Sequence, residues 1–214
     1  MRRTGYQRGE NRGSGAAKAR GPSGRVRLIA GRFRNRRIPV ADVPGLRPTP
    51  ERTRETLFNW LQGRIEGARV LDLFAGSGAL GFEALSRGAE RVVLIEQDRR
   101  AHRTLLEVAA ELDPERCDVL RDDALRWPRK PVAPFDLVLI DPPFASKLAS
   151  AALAHVLDAG LLAVAGRVYC EHAAKDPAPW TEPGAGSWQL LKATRTGDSV
   201  GGLLEVAAPA TDAV

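Results

Sequence analysis

The sequence predicts an α/β fold built on a doubly wound, mostly parallel sheet, and two patterns predict it. Short apolar runs at 70–73, 92–95, 118–120 and 135–140 read as buried strands, each followed by enough chain for a helix or crossover. A glycine-rich loop, Ala75-Gly76-Ser77-Gly78-Ala79-Leu80-Gly81, joins the first of these strands to a helix starting near Ala79. Glycine suits that corner, where the backbone turns sharply and a ligand approaches with no Cβ in the way.

Three segments precede or make up this fold. Residues 1–24 are rich in Gly, Arg and Ser with almost no apolar side chain, and are expected to be a disordered basic tail. Residues 25–64 are expected to form a basic, RNA-binding extension. Val26, Leu28 and Ala30 start a β-hairpin that returns through Ile38-Pro39-Val40. Its turn carries Arg32, Arg34, Arg36 and Arg37, expected on phosphates, and Phe33, expected to stack on a base. A helix is predicted over Glu51–Leu61, with Thr49 as N-cap and Pro50 at the first helical position. Thr53, Thr56, Leu57 and Trp60 or Leu61 form its core face, which leaves Arg52 and Arg54 to reach a ligand or RNA. Residues 65–208 hold the sheet. After the glycine loop come a helix to Arg87, the strand 92–95, a helix Arg99–Leu112 and the strand 118–120. The strand 135–140, a helix from about Ser146 to Leu157, a strand around Val168-Tyr169-Cys170 and a closing hairpin complete the chain.

Charge is segregated along the 214 residues. Residues 1–64 hold 16 Lys and Arg against 4 Asp and Glu, whereas the remainder holds 16 against 22. An acidic domain with a basic arm points to a polyanion gripped from one side. No apolar run approaches the roughly 18 residues of a membrane helix, and no apolar stretch follows the basic start as in a secretory signal. Cys117 and Cys170 sit in strand-like runs without metal-ligand spacing, so they read as packing residues of a reduced, cytoplasmic protein. No metal and no membrane partner are expected.

Gly76, Gly78 and Gly81 satisfy the G-x-G-x-x-G pattern of nucleotide cofactors. Asp72, four residues before the first glycine, argues against a nicotinamide or flavin cofactor, because a carboxylate there repels a pyrophosphate. It favours S-adenosylmethionine, which has no phosphate but carries an ammonium and a sulfonium. Glu96 lies 20 residues beyond Gly76, the separation at which an acidic residue accepts bonds from ribose hydroxyls. Asp122 and Asp123 close the next strand, and either carboxylate is a candidate for the adenine amine.

Asp141-Pro142-Pro143-Phe144 ends the fourth strand. The prolines stiffen the backbone and remove N–H donors. The Asp141 carboxylate and the Pro142 carbonyl are then placed to accept both hydrogens of a planar amino group, leaving its lone pair free for an activated methyl. Phe144 offers a face to a base that has left its helix. The tetrad serves guanine and adenine amines alike.

These residues resemble the RsmD-type bacterial ribosomal RNA methyltransferases over about residues 25–206. The likeness rests on Arg47-Pro48-Thr49 with Arg52, Arg54-Glu55-Thr56-Leu57-Phe58-Asn59-Trp60, Asp72, Phe74 to Gly81, Glu83-Ala84-Leu85-Ser86-Arg87 and Asp141 to Phe144. The resemblance implies a Rossmann-like class I methyltransferase with a seven-stranded sheet, and S-adenosylmethionine as donor. It implies the exocyclic N2 amine of one guanine in small-subunit ribosomal RNA, within an assembled subunit, as acceptor. Thr49 and the loop Phe74, Ala75, Gly76, Ser77 and Gly78 would flank the methionine end of the cofactor, with Glu96 on the ribose and Asp123 on the adenine. The competing readings are an amino methyltransferase for another base or RNA, and a non-catalytic ribosome assembly factor.

Overall fold

A computed structural model describes residues 24–143 and 148–207. The tail, Gly24 apart, and Phe144 lie outside the described residues. The chain runs β1 (Gly24–Arg27), β2 (Arg37–Val40), α1 (Glu51–Trp60), β3 (Arg69–Asp72), α2 (Ala79–Ser86), β4 (Arg91–Ile95) and α3 (Arg99–Leu112). It continues through β5 (Cys117–Leu120), β6 (Phe135–Ile140), α4 (Leu148–Asp158), β7 (Leu162–Ala173), a 3-10 turn at Pro179–Thr181, β8 (Trp188–Thr196) and β9 (Ser199–Val206).

Seven strands form one sheet in the order β5-β4-β3-β6-β7-β9-β8, with β5 to β7 parallel and β9 and β8 antiparallel. The winding reverses between β3 and β6, the place where such sheets open a ligand crevice beyond their carboxyl ends. Alternate residues of each strand feed two cores. Val70, Leu94, Leu139 and Tyr169 pack with Leu57, Phe58, Phe82 and Leu105 on one face. Leu71, Ile95, Ile140 and Cys170 pack with Leu153, Val156 and Trp180 on the other.

The basic hairpin is a small sheet of its own, β1 antiparallel to β2, yet Val26, Leu28, Ile38 and Val40 are buried in the first core. What draws it in is Glu83 on α2, fully buried at 0% exposure. Glu83 accepts from the backbone N–H of Ile29 (2.8 Å) and Ala30 (3.1 Å), from Arg54 (3.3 Å) and from Arg87 (2.7 Å). One turn on, the Ser86 hydroxyl accepts from Phe33 N–H at 3.0 Å and donates to the Ala30 carbonyl at 2.5 Å.

This arrangement corrects two expectations about α1. Its core face is Thr53, Arg54, Leu57 and Phe58, while Thr56 and Trp60 are only half-buried. Arg54 turns inward because Glu83 is there to pair with it. Nor does Thr49 cap the helix: Pro50 holds the cap position with no side-chain bond, and the Thr49 hydroxyl is used elsewhere. β7 is also longer than the run 168–170, since β6 and β9 flank it on both sides.

Removing one member of a buried ion pair strands the other charge, at a cost of about 3–5 kcal/mol. Glu83→Ala is therefore expected to lower the unfolding free energy by about that amount in a urea titration, well beyond the effect of Glu111→Ala on an exposed pair.

Candidate active site

β3 delivers the chain to the crevice, and the glycine loop is pinned on three sides. Ala75 N–H donates to the Ile95 carbonyl (3.0 Å), Gly76 N–H to the Glu96 carboxylate (2.8 Å) and Gly78 N–H to the Ala75 carbonyl (2.6 Å). Gly76 and Gly78 have φ of 52° and 75°, the left-handed region that favours glycine. A Cβ on Gly78 would lie 2.4 Å from the Phe82 ring, and one on Gly81 would lie 2.2 Å from Leu94, so these two serve packing. A Cβ on Gly76 would meet nothing nearer than 3.8 Å, so packing does not demand glycine there as it does at Gly78 and Gly81.

Asp72 does not project freely into the crevice as the sequence implied. It is 1% exposed beneath the loop, where Oδ2 accepts from Gly81 N–H at 3.1 Å. Its Oδ1 is buried with no hydrogen-bond partner among the described residues. Burial pushes the carboxyl up to about 7, against the opposing pull of backbone bonds from Gly81 and Phe74. Asp72 braces strand against helix and keeps one acceptor spare.

Glu96 stands at the end of β4, half-buried, with its second oxygen accepting from Asp98 N–H at 2.7 Å. The acid doublet is divided by its bonds. Asp122 gives both oxygens to Arg129, at 2.8 and 3.3 Å. Asp123 accepts from Leu125 N–H at 3.0 Å and meets Arg126 only at 3.6 Å, so it is the less committed carboxylate.

Beside the loop, on the other side of the switch point, Asp141 follows β6. Thr49 donates its hydroxyl to Asp141 Oδ2 at 2.8 Å across 92 residues of sequence. Thr49 is in turn held by Arg54, which donates to its carbonyl at 3.2 Å. Pro142 is buried, and with Pro143 it walls a pocket of about 90 Å³ shared with Leu148, Ala149, Glu171, His172 and Pro179. Phe144, expected to stack on the base, lies outside the described residues.

Sequence reasoning missed Glu171. The parallel register pairs Ile140 with Cys170, so the next residues, Asp141 and Glu171, are neighbours on the same side of the sheet. Glu171 is 2% exposed and accepts from Tyr169 O–H (2.9 Å) and Ser199 O–H (2.7 Å). The available signal was an acidic residue directly after the apolar run 168–170, at the height of the Asp-Pro-Pro corner.

The arginines divide into two sets. Arg32 pairs with Asp113, just past α3, at 2.9 Å and Arg36 with Glu111 of α3 at 2.6 Å, while both guanidiniums stay largely exposed. Phe33 is half-buried under the Arg32 guanidinium and packs on the first core, so its ring is not a free stacking face. Arg54 is 3% exposed and reaches neither ligand nor RNA. By contrast, Arg25, Arg27 and Arg37 line an open basin with Pro48, Thr49 and Pro50, and Arg27 pairs with Glu51. Arg34 and Arg52 are exposed.

Buried Asp72 and half-buried Glu96 border a loop whose residues 74–81 include no Lys or Arg, a setting that accepts a cationic ligand and rejects a pyrophosphate. The Asp72 oxygen beneath the loop, unpartnered among the described residues, fits S-adenosylmethionine. With this crevice beside a proline-stiffened carboxylate at the switch of a seven-stranded sheet, the class is an S-adenosylmethionine-dependent methyltransferase. The model of the family described as "Conserved hypothetical protein 95" matches residues 26–203, and the chain belongs to that family. It is 42% identical over 164 residues to "Ribosomal RNA small subunit methyltransferase D" of Escherichia coli K12, covering 74% of this chain and 83% of that one. To the protein of the same name from Haemophilus influenzae it is 39% identical over 178 residues, covering 81% and 90%. A solved methyltransferase structure from Escherichia coli superposes with a TM-score of 0.75 at 38% identity, covering 87% of this chain and 100% of that one.

The raised Asp72 carboxyl makes a stability prediction. The folded protein holds this proton more tightly than an unfolded chain does. Its contribution is full below pH about 4 and is lost as pH rises towards 7. Asp72→Asn is expected to flatten that decline, which amounts to at most about 1.4 kcal/mol per pH unit, in denaturation midpoints measured between pH 4 and 7.

Proposed function

We propose that the protein methylates the exocyclic N2 amine of a guanine in small-subunit ribosomal RNA, within an assembled subunit in the cytoplasm. The observation that carries this reading is Asp141, gripped by Thr49 and backed by two prolines at the switch point beside the glycine loop. When bound, S-adenosylmethionine supplies a methyl group on a sulfonium. Asp72 and the stretch Phe74, Ala75, Gly76, Ser77 and Gly78 would hold its methionine end, Glu96 its ribose and Asp123 its adenine.

The protein's own part is positioning and electrostatics. Thr49 fixes one oxygen of Asp141, which leaves the other to accept from the amine while the Pro142 carbonyl takes its second hydrogen. Held this way, the nitrogen keeps its lone pair out of the ring system and directed at the methyl. Phe144 would cover the base. The RNA backbone would run over Arg25, Arg27 and Arg37, whose basin has Thr49 in its wall, with Arg34 and Arg52 extending the track. Arg27 and Arg37 stand directly opposite each other in the hairpin, a like-charge pairing that costs stability and that a polyanion relieves.

Asp141→Ala is expected to abolish methyl transfer to small subunits from cells lacking the protein, while S-adenosylhomocysteine binding by calorimetry changes only a few-fold. Mass spectrometry of nucleosides from those cells should show one N2-methylguanosine missing. A different missing base would reassign the acceptor, and an unchanged profile would favour the assembly-factor reading. For the RNA track, Arg25→Ala with Arg37→Ala is expected to reduce the slope of log affinity against log salt by about 0.7–0.9 for each phosphate left unneutralised. Arg32→Ala with Arg36→Ala should change it less, as Asp113 and Glu111 already pair with those charges.

A further inference from the structure

Among the described residues, Asp141 and Glu171 are two carboxylates side by side whose side-chain donors are all hydroxyls. Thr49 donates one bond to Asp141, while Tyr169 and Ser199 donate two to Glu171. Among the described residues no Lys or Arg bonds either carboxylate, and Arg54 stops one group short, at the Thr49 carbonyl. The other ionisable groups packed here are Asp72 from β3, Tyr169 and Cys170 from β7, and His172, which shares the pocket wall with Glu171 but turns Nδ1 to the Ala173 carbonyl and its ring to Trp180. Glu171 is 2% exposed whereas Asp141 is half-buried, so Asp141 is the more open of the two.

We propose that Glu171 is a positioning residue that makes Asp141 the acceptor of the proton given up by the methylated amine. This rests on the amine methyltransferase reading above. As the nitrogen lone pair forms the new N–C bond, the electron pair of the breaking S–C bond stays with sulfur. The nitrogen becomes cationic and must lose one proton, and the adjacent Asp141 oxygen not held by Thr49 takes it before passing it to solvent. Two carboxylates sharing one site cannot both ionise easily. Glu171 has two donors and Asp141 one, so the shared proton settles on Asp141. Loss of solvent and the neighbouring Glu171 charge both raise the Asp141 carboxyl well above the usual range, while the Thr49 bond lowers it.

The test is the pH profile of kcat/KM on unmethylated small subunits, for wild type and Glu171→Gln. The amine needs an ionised Asp141, so wild type should lose activity below the raised Asp141 value. Glu171→Gln removes the neighbouring charge, and the acid limb should move down by about one pH unit or more with a lower plateau. Affinity for S-adenosylhomocysteine should stay within two-fold. Ser199→Ala keeps both carboxylates but removes a donor from Glu171, which shifts the proton towards it, and should move the limb the same way. An acid limb at the same pH in wild type and both variants overturns the inference, as does a wild-type profile with no acid limb above pH 5. In both cases methyl transfer itself still stands. A wild type that transfers no methyl to guanine overturns the underlying reading as well.

Discussion

The rest of the molecule depends on one buried carboxylate. Glu83 sits in the helix that follows the glycine loop, and it gathers the hairpin backbone, Arg54 and Arg87 around itself without solvent. Arg54 carries the linkage onward, donating to the Arg27 and Thr49 carbonyls, and Thr49 holds Asp141. The cofactor loop, the basic arm and the reacting corner are thus joined by a relay of charge-assisted bonds. Such bonds are strong only where water is excluded and every member is satisfied. Packing alone would place the helices. It would not tie the arm to Asp141 through Arg54 and Thr49.

The parallel strands and their helices were legible because their signals are local. Apolar runs bounded by glycine, proline and charge gave β3, β4 and β6, and α3 spans Arg99–Leu112 as its pattern predicts, capped by Asp98. The glycine loop, Glu96 and the Asp-Pro-Pro corner were legible for the same reason. What escaped were the side chains whose partners lie far along the chain. Thr49 looked like a helix cap because its sequence neighbours make it one, and Arg54 looked exposed because nothing nearby announces a carboxylate 29 residues later. Glu171 has no local pattern at all: only the register of β7 against β6 brings it beside Asp141. The arginine turn was legible as charge but not as direction, since Asp113 and Glu111, which pair with Arg32 and Arg36, meet it only in the fold.

Charge placement around the crevice follows one rule. Acids line the side proposed for a cationic cofactor, hydroxyls support the Asp141–Glu171 pair among the described residues, and arginines stand outside, over the basin. An arginine set against Asp141 would hold it firmly ionised and weaken it as a proton acceptor. Thr49, Tyr169 and Ser199 orient without neutralising.

The hairpin is sewn to α2 through Ser86 and Glu83 and clasped to α3 through Arg32 and Arg36. An arm fastened at two helices cannot hinge on its own. If the arginine face takes the RNA as proposed, these bonds set its span to the Asp141 corner in advance. On that reading, whatever bending or base extrusion the span requires falls on the nucleic acid, which would favour sites already distorted or loosely stacked in the folded RNA.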